Sequence, residues 1–346
     1  MPKKSAIKTS LFAAEEREQK LNRKGDLLFT LNQHVNFVAL AAEIDHIAPR
    51  PSDKRGGRPP YPTELMVRVL VLQHLYNLSD EALEYQLLDR LSFQRFCGLR
   101  HSSTIPDANT LWVFRERISA AGGADALFDA VQRQLQQHGF IARGGQIVDA
   151  TLVEAPKQHF HKEEKALLEQ AATPVDWTPA QRRQKDTEAS WTKKHSKSYH
   201  GYKLSISADR KYKLIRKRHI STAKEHDTNH FEAVLDRSNT SRDVWADKGY
   251  EDQSREQRLN QGSWRLHIQH KAKKGKPPSD CQKRRNTRIA RPRARVEHVF
   301  GSICAMGGKA IRSIGLARAV FGLSIKAAVY NLRRLCSLKE GGVVPI

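Results

Sequence analysis

The chain has 346 residues, with 60 Lys and Arg against 37 Asp and Glu, and a formal charge of +23. Its hydrophobic fraction of 39% supports a folded core and excludes a disordered basic tail. Such an excess of cations calls for a polyanionic partner, most often nucleic acid. No apolar stretch reaches the ~18 residues that a membrane span needs. The basic start Met1-Pro2-Lys3-Lys4-Ser5 leads into no apolar secretion core, so a cytoplasmic protein without membrane contact is expected. Cys97, Cys281, Cys304 and Cys336 lie far apart, form no Cys-x-x-Cys pair and read as reduced thiols rather than zinc ligands.

Four segments follow from the pattern: 1–50, basic and helical; 51–140, helical; 141–303, mixed, with a polar insertion at 154–198; and 304–346, helical. In the first, the apolar run from Leu27 to Ile44 predicts a helix ended by Pro49-Arg50-Pro51. Gly56-Gly57-Arg58-Pro59-Pro60-Tyr61-Pro62 reads as a stiff linker. Helices are expected from Thr63 to Leu75, after an N-cap in Asn77–Glu81, over Ser92–Leu99 with a stop at Gly98, and over Leu111–Ile118 after Pro106-Asp107-Ala108-Asn109-Thr110. Short helices with tight turns in a basic chain suggest a helix-turn-helix-like DNA-binding module. A bundle that only packs on its neighbour fits the same pattern.

Beyond residue 141 the expected order is strand (147–153), polar insertion, hairpin strands (202–208 and 213–220), helix (226–239), strand (243–246), helix (252–260), strand (264–270), basic loop (271–278), helix (291–303) and helix (317–335). Three leading strands and then alternating elements is the order of a ribonuclease-H-like mixed α/β domain. That fold sets the first strand beside the strand at 243–246. Asp149 on the one and Asp247 at the end of the other become neighbours, and Glu297 comes from a late helix.

Intervals of 98 and 50 residues separate these three acids, so only a fold can gather them. Three carboxylates with mutual access suit hard divalent cations, and two Mg²⁺ ions ~3.5–4 Å apart activate the nucleophile and stabilise the leaving oxygen in phosphodiester cleavage. Singly, each acid also fits a local role: Asp149 as a strand cap, Asp247 as the start of a turn before Gly249, and Glu297 as an ion-pair partner of Arg293. The basic clusters at 182–197, 271–276 and 283–295 suit phosphate contacts with steep salt dependence. Trp177 and Trp191 suit either stacking on unpaired bases or anchoring of the insertion.

The same residues carry a resemblance. Pro106-Asp107-Ala108-Asn109-Thr110-Leu111-Trp112, Asp149-Ala150-Thr151, Tyr199-His200-Gly201-Tyr202-Lys203, Ala246-Asp247-Lys248-Gly249-Tyr250 and Arg295-Val296-Glu297-His298-Val299-Phe300-Gly301 occur in the order of a known family. The chain resembles the DDE transposases of bacterial insertion sequences, in the branch related to insertion sequence five. The match runs over most of its length. The resemblance implies Asp149, Asp247 and Glu297 as catalytic metal ligands for Mg²⁺, two ions with Mn²⁺ as a substitute. It implies DNA contacts from Arg293, Arg295, Lys248, Lys203, Lys193, Lys194, Lys273 and Lys274, and a homodimer working on DNA in the bacterial cytoplasm, associated with the nucleoid. Related enzymes often carry a Tyr and a Lys around the glutamate. Here those positions hold Ala290 and Cys304, which leaves Lys309 or Arg312 as candidates for the lysine's role. The acids alone leave open a nuclease of the same fold that cuts without joining, and a non-catalytic DNA-binding descendant.

Overall fold

The computed structural model describes residues 8–50, 59–169, 174–194, 196–272, 277 and 279–345. Lys273 and Lys274, and linker residues 56–58, lie outside the described residues.

The first expected helix is two. α1 (Ala13–Arg23) precedes α2 (Leu27–His34) and α3 (Phe37–Ile47). The break falls at Val35, in extended conformation, and Asn36 starts the next helix by accepting the Ala39 N–H at 2.9 Å. α4 (Thr63–Tyr76), α5 (Asp80–Asp89), α6 (Leu91–Cys97) and α7 (Ala108–Ala120) follow where the sequence predicts them. Their punctuation is local chemistry. The Ser79 hydroxyl accepts from the Ala82 N–H at 3.2 Å, and the Asp107 carboxylate accepts from the Thr110 N–H at 2.6 Å. α8 (Gly123–Gln137) stands where no element is expected, with Leu127, Phe128, Val131 and Leu135 as its buried face.

The second region comprises β1 (Gln146–Glu154), α9 (Lys162–Glu169), α10 (Pro179–Gln184), β2 (Ser190–Lys194), β3 (Lys197–Asp209), β4 (Ile215–Thr222), β5 (Asp243–Ala246), α11 (Gln253–Gln261), β6 (Arg265–Ile268), α12 (Asp280–Ala305) and α13 (Leu316–Glu340). The sheet order is β2-β3-β1-β5-β6, with β4 also on β3. β1, β3 and β4 pair antiparallel, whereas β1, β5 and β6 pair parallel. Leaving β2 aside, the order β4-β3-β1-β5-β6 is the ribonuclease-H-like arrangement expected.

The polar insertion carries elements of its own, α9, α10 and β2, and β2 pairs with the start of β3 from Ser190↔Gly201 to Lys194↔Lys197. Gly201 sits at φ +151°, and a Cβ there would lie 2.2 Å from the Val153 carbonyl oxygen, so only glycine lets β3 come this close to β1. The segment 226–239 is not an α-helix but two 3₁₀ turns, Asp227–His230 and Glu232–Val234. Its polar side chains engage backbone instead: Asn239 exchanges two 3.0 Å hydrogen bonds with Gly145, and Asp236 accepts from the Ser238 N–H at 3.0 Å.

The last helix is not a separate tail. α13 packs on α8, α4, α2 and β4, and its buried Ala327, Leu332 and Leu335 belong to one apolar core shared with Leu31, Leu72 and Phe128 of the helical region. Asn331 continues the seam by bonding both backbone groups of Ile215, at 2.9 and 2.8 Å.

Candidate active site

The parallel pairing of β1 and β5 matches Ile147 with Trp245. Two residues further along each strand stand Asp149 and Asp247, at the same height on adjacent strands. With a side-chain period of two, they lie on the same face as the Ile147–Trp245 pair. Asp247 leaves the strand and caps the following turn by accepting the Lys248 N–H at 2.5 Å.

The third acid comes from α12, which packs against β1 and β5. Ser279 and Gln282 form a capping box at its start, so the helix begins eleven residues earlier than expected. Ile289, Val296 and Ile303 form its buried stripe, and Arg293 lies on that stripe between Ile289 and Val296. Its Nη2 donates to Asp149 Oδ2 at 3.0 Å. Glu297 is one turn after Arg293 and exposed, at the rim of the site. The structure thus brings Asp149 and Asp247 together around Arg293. Among the described residues, no three acidic, histidine or cysteine side chains are gathered closely enough to enclose a metal ion.

Burial pushes the Asp149 carboxyl above its usual range, the Arg293 cation opposes this, and the Asp247 charge adds to the rise. Burial also works against the Arg293 charge, but Asp149, Asp247 and Glu297 together raise its proton affinity. One cation therefore serves three carboxylates. The Nε of Arg293 is buried without a partner. Hard carboxylate oxygens that outnumber the one cation beside them suit a divalent cation.

The expected phosphate-contacting residues fall into two groups. Lys193, Lys194 and Lys248 are exposed, and Arg295 is exposed with its Nη1 donating to the Arg210 carbonyl at 2.6 Å. Lys203 points inward, 2.7 Å from Asp227, and donates to the Glu225 carbonyl at 2.5 Å. Of the two candidates for the missing lysine, Arg312 is held by the Asn77 carbonyl at 3.1 Å in the α4–α5 turn. Lys309 is exposed, and its carbonyl accepts from Glu154 at the end of β1. Trp177 is 5% exposed and donates to Glu164 at 2.6 Å, which anchors the insertion; Trp191 is 45% exposed. Asp227, the partner of Lys203, received no role from the sequence.

A mixed sheet of this order with two aspartates level on its central parallel strands defines the polynucleotidyl transferases and nucleases of the ribonuclease-H-like class. Residues 142–332 match the transposase DDE domain family, more than half of the chain, and residues 15–117 match a second transposase domain family, DUF772. The chain belongs to the DDE transposases. It is a DNA transposase, and the family implies chemistry with a divalent cation. A chain in the cryo-EM structure of a piggyBac transposase synaptic complex with hairpin DNA is similar over 92% of this chain and 76% of that one. The identity is 11% and the TM-score 0.45. No described helix is long and apolar enough to cross a membrane.

Proposed function

We propose that this transposase, of the insertion-sequence-five branch, cuts DNA at the ends of its element and joins the freed 3′ hydroxyls to target DNA. What supports the reading is that β1 pairs parallel with β5 at Ile147–Trp245, two residues before Asp149 and Asp247, and that Arg293 donates to Asp149. Asp149 and Asp247 would hold Mg²⁺, as two ions with Mn²⁺ as a substitute, and Glu297 would complete the ligand set from the rim. Such cations, when bound, activate an oxygen nucleophile and stabilise the leaving oxygen of a phosphodiester.

The residues of this chain do the rest. Burial raises the proton affinity of Asp149, and the Arg293 guanidinium beside it favours the ionised form that would hold a cation. Arg293 balances the charge of the acids. Its planar fork also suits a phosphate of the strand being cut. Lys193, Lys194, Lys248 and Arg295, with the exposed Lys283, Arg284, Arg288 and Arg291 of α12, hold the DNA backbone without reading bases. Two ends must meet for joining, so the working form is a homodimer on DNA, in the cytoplasm beside the nucleoid.

The test is an incubation of the protein with Mg²⁺, DNA carrying the element's ends and a target plasmid. Joined products are expected, with Asp149→Ala reducing them to background. Cut ends without joining would replace transposition by plain nuclease action. Cleavage unchanged in Asp149→Ala would remove the acidic site from the reading.

A further inference from the structure

β3 runs past the sheet that holds it. From Tyr202 to Ala208 it has β1 on one side and β4 on the other, but residues 197–200 pair with β2 alone. The β2–β3 hairpin therefore projects beyond Glu154, the last residue of β1, in the direction in which β1 and β5 carry Asp149 and Asp247. Its root is firmly built. Asp186 is 1% exposed and accepts from the Tyr202 hydroxyl of β3 at 2.8 Å, from the Ala189 N–H at 2.9 Å and from the Gly315 N–H, just before α13, at 3.1 Å. The Trp191 ring packs on the buried His200, with centroids 5.0 Å apart.

The outer half is committed to nothing comparable. Residues 190–201 hold three lysines and no acid, and Lys193, Lys194 and Lys197 are all exposed. Alternation puts Trp191 and Lys193 on one face of the ribbon, and Tyr199, Lys194 and Lys197 on the other. Lys194 stands directly opposite Lys197, and a like-charge pair in that position destabilises a free hairpin. A two-stranded ribbon has little stability of its own to offset this. Cations on both faces call for anions on both sides, whereas a flat phosphate surface meets one face only. The major groove of duplex DNA, about 12 Å wide, admits a two-stranded ribbon and has phosphates along both walls.

We propose that the β2–β3 hairpin is an arm that enters the major groove of the duplex held at the acidic site, with Lys193 on the phosphates of one wall and Lys194 and Lys197 on those of the other. This rests on the proposed action on DNA. Lys197 is nine residues along β3 from Ile206, the partner of Asp149. At ~3.3 Å per residue the contact falls up to about 30 Å from the acids, or about nine base pairs along the duplex.

The experiment uses the full-length protein and a synthetic duplex carrying one end of the element. Wild type is compared with the triple variant Lys193→Ala, Lys194→Ala, Lys197→Ala for Kd over a series of NaCl concentrations and for methylation of guanine N7, a major-groove atom, by dimethyl sulfate. The variant should flatten the logarithmic salt dependence by about 2.7, at roughly 0.9 for each lost phosphate contact. Guanines up to about nine base pairs from the cut should be protected by wild type and open in the variant. Its Tm without DNA should equal or exceed that of wild type, because the Lys194–Lys197 repulsion is gone. The matching triple Lys→Arg variant should keep both slope and protection. An unchanged slope in the alanine variant, with wild-type binding intact, removes the arm from the interface and leaves the action on DNA standing. A flattened slope with guanine N7 equally open in both proteins puts the lysines on the outer backbone and overturns the groove. Absence of duplex binding by the wild type overturns the action on DNA and the arm with it.

Discussion

The helical region and the sheet region share one apolar core but differ sharply in charge. Residues 59–140 carry 7 basic residues, none of them lysine, against 9 acidic ones. Residues 141–346 carry 42 basic against 21 acidic. Nearly the whole excess of +23 therefore sits on the part that holds the acidic site. Phosphate attraction is strongest where the cutting chemistry lies, and a helix-turn-helix-like role for the helical region would depend on a few arginines rather than on a basic surface. That region instead presents exposed Tyr85, Leu88, Leu91, Trp112 and Val113.

The largest expected effect strikes the seam between the two regions. Arg216 of β4 is buried against Asp209 of β3, at 3.1 Å, and also donates to Gln132 of α8 at 3.2 Å and to the Phe140 carbonyl at 2.8 Å. Arg216→Met strands the Asp209 charge and should cost about 3–5 kcal/mol in urea unfolding. One cooperative transition for both regions is expected, and two separate transitions would break the picture of a common core.

Next comes Lys326 of α13, which donates to the His74 carbonyl of α4 at 2.9 Å and to the Met306 carbonyl at 2.5 Å. Burial, aided by Arg312, lowers its ammonium from 10.5 to about 8. The unfolded chain then holds a proton that the folded chain has lost, so stability rises with pH between about 8 and 10.5. Denaturation midpoints of wild type relative to Lys326→Met should climb across that window. A difference that stays flat with pH would contradict the burial of this amine.

The smallest effect tests the charge contrast itself. Arg284→Ala or Arg291→Ala on α12 should each flatten the logarithmic salt dependence of DNA affinity by about 0.9. Arg100→Ala in the helical region should leave the slope alone. Equal changes in both regions would mean that DNA lies across the whole molecule.

Much of this was readable from sequence, for identifiable reasons. Asp149 and Asp247 end apolar strand segments whose order already made them neighbours, and the helix of Glu297 follows from its periodicity. The helical region was legible wherever a cap such as Ser79 or Asp107 marked a start. α8 was overlooked although its apolar residues keep helical spacing. β2 has almost no apolar alternation, Ser190-Trp191-Thr192-Lys193-Lys194, and exists through its pairing with β3. The 3₁₀ turns at 227–234 come with side-chain contacts to distant residues, Asp227 with Lys203 and Glu232 with Arg258, which periodicity does not register.

The placement of α13 also bears on how the protein is made. Leu316, its first residue, is 282 positions beyond His34, the last of α2, yet the two helices pack together and Thr30 donates to Glu340 at 2.7 Å. During synthesis the helical region emerges first but lacks the partner that closes its core. It has to wait on the ribosome, with apolar faces unsheltered, until nearly the entire chain has been translated. A chain that stops before α13 leaves the apolar faces of α2, α4 and α8 without the partner that covers them.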